Sequence, residues 1–128
     1  MEPVIQHINK RLLSLFSYIY MHLVPDSGIA QPGNLNIVHN GPRSAVFSWT
    51  PPPVEQHSDA ITGYIVVYDS EQSQRISVAD LKGADNTSFE CAFLEPSSLY
   101  TFSVHARTTA GYGPAAEMQF KTPEEGKA

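Results

Sequence analysis

With 128 residues, 41% of them hydrophobic, the chain is long enough for one small domain with its own core and too apolar to be disordered throughout. A formal net charge of −5, with acidic residues scattered rather than clustered, gives no electrostatic footprint for nucleic acid or anionic lipid. The single cysteine, Cys91, excludes an internal disulfide and a cysteine-type zinc site and leaves the redox compartment undecided.

Residues 1–31 differ in character from the rest. Lys10-Arg11 precedes the uncharged, mostly apolar run Leu12–Val24, which Pro25 ends, and Gly28-Ile29-Ala30 offers small residues at −3 and −1 of a cut before Gln31. These are the parts of a secretory leader, although Glu2, Val4-Ile5 and His22 fit it poorly. The run is too short to span a bilayer, which takes about 20 residues. A second reading is an amphipathic helix, since Ile5, Ile8, Leu12, Leu15, Phe16, Ile19 and Leu23 recur at spacings of three and four. A third is a stretch foreign to the mature protein. All three stay open at this point.

From Pro32 to Thr122, short alternating segments are separated by Gly, Pro, Asn and Asp clusters, with no long helical period. Leu35 and Ile37 suit a first strand, and Ala45, Phe47 and Trp49 a second that Pro51-Pro52-Pro53 stops. Ile61-Thr62-Gly63 opens a third, carried by Tyr64, Val66 and Tyr68. Arg75–Val78 reads as a weaker edge strand, and Phe89 and Cys91 form the next, leading into Leu94. Pro96-Ser97-Ser98 then turns the chain, since proline cannot supply a ladder donor. Tyr100, Phe102, Val104 and Ala106 alternate with Thr101, Ser103 and His105, placing one apolar and one polar face. Met118 and Phe120 close a set of seven strands, and residues 123–128 form a polar tail suited to a linker. The expected fold class is all-β: a seven-stranded antiparallel immunoglobulin-like sandwich with structural core Trp49, Tyr64, Tyr68, Leu94 and Tyr100.

Catalytic chemistry finds no constellation. Cys91 alternates with Phe89 on the core-facing side, where a free cysteine packs as a small hydrophobe. His7, His22, His39, His57 and His105 form no i,i+4 pair, and His105 falls on the polar face of its strand. Gly111-Tyr112-Gly113 is a hairpin turn with no helix behind it to hold a phosphate. Glu55, Asp59, Asp69 and Glu71 read as loop and edge charges, which discourage unwanted strand pairing. No catalytic residue, cofactor or metal is therefore expected. Asn86-Thr87-Ser88 is an N-glycosylation sequon in a loop, which makes Asn86 a candidate glycan site. Tyr112, at a loop tip between glycines, is the candidate partner contact, with the loop Pro53–Ala60 beside it at the same end of the sandwich.

Trp49 before its prolines resembles the second strand of fibronectin type III domains. Ile61 to Tyr68 resembles their third strand, Leu94-x-Pro96 with Tyr100 their tyrosine corner, and Ala106 with Gly111-x-Gly113-Pro114 the hairpin before their last strand. The resemblance covers about residues 32–122 and implies a non-catalytic binding or spacer module of an extracellular adhesion or receptor protein. Such a module has neighbouring domains and a protein partner and does not itself enter a membrane. It also admits an intracellular array module of muscle-filament type, or an accessory domain of a larger enzyme. Residues 108–113 contain no Arg-Gly-Asp, so an integrin loop is not implied, and no Trp-Ser-x-Trp-Ser marks a cytokine-receptor domain. Thr108 stands where the family often has Asn.

Overall fold

The computed structural model describes residues 29–53, 61–73, 75–109 and 111–126, together with the backbone of residues 4–9. Its strands are β1 (Val4–Asn9), β2 (Gly33–Asn40), β3 (Ser44–Thr50), β4 (Gly63–Ser70), β5 (Arg75–Lys82), β6 (Ser88–Ala92), β7 (Leu99–Thr108) and β8 (Gly111–Lys121). They form two antiparallel sheets, one ordered β1-β5-β4-β7-β8 and the other β2-β3-β6. The seven expected strands are β2 to β8, and the sandwich class stands.

The alternation read from the sequence is the alternation that packs. Ala45, Phe47 and Trp49 of β3 are buried, as are Tyr64, Val66 and Tyr68 of β4 and Tyr100, Phe102, Val104 and Ala106 of β7. Period-2 placement sends them all into the space between the sheets. Phe47 stacks on Phe102 with ring centroids 3.9 Å apart and meets Phe120 edge-on at 5.0 Å. These rings bridge the two sheets, and Leu94 and Cys91 belong to the same buried cluster.

Two elements differ from the sequence reading. The fourth strand continues to Lys82, because Ala79 and Leu81 keep the inward phase while Asp80 takes the outward one. It is also not the edge. β1 pairs with it in register from Val4↔Asp80 to Asn9↔Arg75, so Ile5 and Ile8, counted in the helical stripe, lie in extended backbone. An eight-residue β5 presents a row of unpaired backbone groups that an extended segment satisfies and a helix does not. The rest of the leader-like segment, residues 10–28, lies outside the described residues.

The packed body also begins before Pro32. Ile29 is only 4% exposed and belongs to the core cluster. Its side chain sits over Gly113, where an added Cβ would lie 2.5 Å from Ile29 Cγ1. Gly113 is thus what leaves room for the isoleucine.

The tyrosine corner has the expected geometry. The Glu95 backbone N–H donates to the Tyr100 hydroxyl at 2.8 Å. Thr122, which the sequence reading passed over, holds the same corner from the other side. Its hydroxyl donates to the Glu95 carbonyl at 2.6 Å and accepts from the Ser98 N–H at 2.9 Å. The loop after β6 is therefore fixed to the strand that follows it and to the chain's exit.

Candidate functional site

Antiparallel strands gather the connections at two poles. The N-terminal pole carries Ile29, the β5–β6 turn and the β7–β8 hairpin; the loop read beside them, residues 54–60, lies outside the described residues. Tyr112 is here, half-buried rather than at a free tip, with its ring 6.3 Å from that of His105. His105 is likewise half-buried, with Nδ1 2.9 Å from the Gly113 carbonyl oxygen. A carbonyl only accepts, so Nδ1 carries the proton. A register shift between His105 and Arg107 absorbs Pro114, which has no N–H for the ladder.

Asn86 lies at the same pole in a turn closed by its own N–H donating to the Gly83 carbonyl at 3.2 Å. The Tyr64 hydroxyl donates to Ala84 O at 2.8 Å and ties that turn to the core. Burial, and secondarily the Asp85 charge, push the Tyr64 hydroxyl up to about 12. On the outer sheet face, Arg107 reaches from β7 across β4 to Asp80 on β5, with Nη2 3.1 Å from Oδ1. It crosses over Gly63, the residue paired with both Arg107 and Lys82. This is a sheet-spanning clasp rather than a reactive pair.

The C-terminal pole carries the β2–β3 and β6–β7 connections and the exit of β8. Phe93 lies here, 96% exposed, with a backbone φ of +59°. A bulky side chain in the left-handed region is strained, and an aromatic ring in water forgoes its burial energy. Sequence alternation places Phe93 in phase with the buried Phe89 and Cys91, and so inside. β6 instead ends at Ala92, and the positive φ reverses the chain and turns the ring outward. The pose is held rather than loose: the Leu94 N–H donates to Arg43 O at 3.0 Å, and Leu94 plugs the core. Beside it Arg43 donates from Nη2 to Glu125 at 2.7 Å, and the Glu95 charge acts on the same guanidinium more weakly. Hydrogen bonding to Arg43 holds Glu125 below its ordinary range. No sequence pattern marks Phe93; only the backbone angle and the exposure do.

Cys91 is buried, and burial, followed by the Glu90 charge, pushes its thiol well above its ordinary 9.0. It stays protonated at neutral pH and does not act as a nucleophile. The folded state holds this proton longer than the unfolded chain, so stability is full below about pH 9 and falls above it. At pH 8 a thiol reagent is expected to label the native chain at least tenfold slower than the denatured chain. Equal rates would place Cys91 at the surface. Among the described residues no group of three or more His, Cys, Asp or Glu is placed to hold a metal.

An aromatic core between two antiparallel sheets, with a hydroxyl-locked corner and loops gathered at two poles, defines an immunoglobulin-like scaffold that presents surface rather than encloses substrate. The chain belongs to the fibronectin type III family: residues 30–121 match the fibronectin type III domain. It is 30% identical over 107 residues to neogenin of Rattus norvegicus, spanning 80% of this chain and 7% of neogenin. It is 34% identical over 100 residues to receptor-type tyrosine-protein phosphatase F of Bos taurus, spanning 75% of this chain and 5% of the phosphatase. Protein sidekick of Drosophila melanogaster is 31% identical over 86 residues, spanning 66% of this chain and 4% of sidekick. The chain thus corresponds to a small part of each of these relatives. The third fibronectin III domain of human KIAA0343 protein superposes with a TM-score of 0.66 at 26% identity, covering 80% of this chain and 88% of that one. Domains of this family are generally non-catalytic modules.

Proposed function

We propose that the chain is a protein-contact module of an extracellular or cell-surface adhesion or receptor protein, one unit of a longer polypeptide. The observation that carries the reading is Phe93: an exposed aromatic ring in a costly backbone conformation, held by hydrogen bonds on a rigid corner. Strain kept at an exposed position points to use, and exposed aromatics are frequent contact anchors. Likeness to a receptor-type phosphatase supports the setting. Tyr112 serves as a lesser contact at the opposite pole, and Asn86 carries a glycan there. Val4–Asn9 and Ile29 stay with the module in this reading, supported by the pairing of the former with β5 and the place of the latter in the core.

The test compares Phe93→Asn with the parent chain. Asparagine accepts positive φ, so the variant is expected to be about 1 kcal/mol more stable. Tetramerised, fluorescent parent chain should stain animal cell surfaces, and the variant should lose most of that staining while remaining folded. Equal staining removes Phe93 from the site; staining by neither removes the cell-surface reading. Secreted behind a supplied leader, the chain should carry a glycosidase-sensitive mass that Asn86→Gln abolishes. A bare Asn86 would remove the glycan.

A further inference from the structure

The outer edge of β5 carries an inference independent of Phe93 and of any partner. The centre of β5, Ile76-Ser77-Val78-Ala79, has no charge and no proline. Edge strands that face solvent normally carry such residues, because a bare, uncharged edge is a template for pairing with any extended chain. Here the only charges on β5 lie toward its ends, at Arg75, Asp80 and Lys82. The edge needs a cover, and β1 supplies one: Val4 to Asn9 pair with Asp80 to Arg75 through an unbroken antiparallel register.

β1 nevertheless stands apart from the body it covers. In the sheet order its one neighbour is β5. The family match begins at residue 30, and among the residues whose side chains are described the core cluster begins at Ile29. Residues 10–28, which include Pro25 and Gly28, separate Asn9 from Ile29 in the sequence. A strand whose one sheet neighbour is β5 is held in the sheet by a single ladder.

We propose that the β5 edge is a strand-docking site whose resident occupant is Val4–Asn9 of the same chain, a detachable cap that adds to the sheet by strand addition. The cap is separable from the fold. Opening it uncovers β5 from Arg75 to Asp80 while β4 and β7 keep their pairing.

The test is amide hydrogen exchange on the full chain, read residue by residue. Alternate N–H groups of an edge strand point at its neighbour, so the double variant Gln6→Pro/His7→Pro removes a ladder donor whichever residue supplies it. The edge-facing amides of Ile76 to Asp80 should exchange at least tenfold faster in the variant than in the parent. Amides of β4 and β7, and Trp49 fluorescence, should not change. A synthetic peptide spanning Pro3 to Lys10, added in excess to the variant, should restore slow exchange at the same amides. Three outcomes would overturn the proposal. β5 exchange could be equal in both chains, so that no cap exists. β4 and β7 could lose protection together with β5, making β1 part of the cooperative body. Or protection in the parent could rise with protein concentration alongside dimer formation, so that the occupant comes from a second copy.

Discussion

Trp49→Ala is expected to lower stability by about 3–5 kcal/mol, a large part of the roughly 5–15 kcal/mol that holds a small domain together. Trp49 is 3% exposed on the central strand of its sheet, edge-on to Tyr64 at 5.5 Å and tilted against Phe102 at 6.2 Å. Truncation leaves a cavity between two sheets that cannot close without moving both, so the cost combines lost transfer energy with the void. Its indole Nε1 is buried with no hydrogen-bond partner among the described residues. Trp49→Phe therefore sacrifices no bond and relieves a buried donor, and should cost far less, about 1–2 kcal/mol. Denaturant unfolding followed by circular dichroism checks both variants. A midpoint unmoved by Trp49→Ala would mean that the register of β3 is wrong, whereas equal losses would mean that the indole nitrogen is partnered after all.

Gly63→Ala is the second large effect, expected to cost about 2–3 kcal/mol. A Cβ built there falls 2.1 Å from the Leu81 carbonyl oxygen and 2.8 Å from Arg107 Nη2. The first neighbour is backbone of a paired strand and cannot swing away; the second is the guanidinium on its way to Asp80. A small gain from the stiffer unfolded chain offsets only part of this. Gly33→Ala is the control, because its Cβ meets only the Thr50 hydroxyl, at 2.9 Å, and that side chain can rotate. If both substitutions cost the same, the close approach at Gly63 is not what makes glycine necessary there. Combining Gly63→Ala with Arg107→Ala separates the terms: a residual cost equal to the single variant's assigns the clash to the Leu81 backbone alone.

Much of the body follows from local chemistry that is legible in order along the chain. Alternation in β3, β4 and β7 named the inward faces, because a strand's period of two is set by its own backbone whatever lies across from it. Proline and serine after Leu94 marked the corner, since the missing donor at Pro96 ends a ladder anywhere. The buried cysteine followed from the same phase as Phe89. The candidate contacts were less legible. Asn86 was found as a motif, while Tyr112 looked free only because the sequence does not show that the hairpin folds it toward His105.

What local sequence determines here is the strand set, its faces and its turns, because these depend on residues within a few positions of one another. Only the tertiary structure decided three other matters. The ring of Phe93 points outward against its own alternation, because the Leu94 N–H is claimed by Arg43 O, fifty-one residues upstream in sequence, and Leu94 by the core. Ile29 joins the core because Gly113, at the far end of the domain sequence, leaves it a seat. Val4–Asn9 is a strand rather than a helix because β5 offers it a row of backbone partners. Each of these rests on a contact between segments distant in the chain, and the free energy of such a contact belongs to neither segment alone.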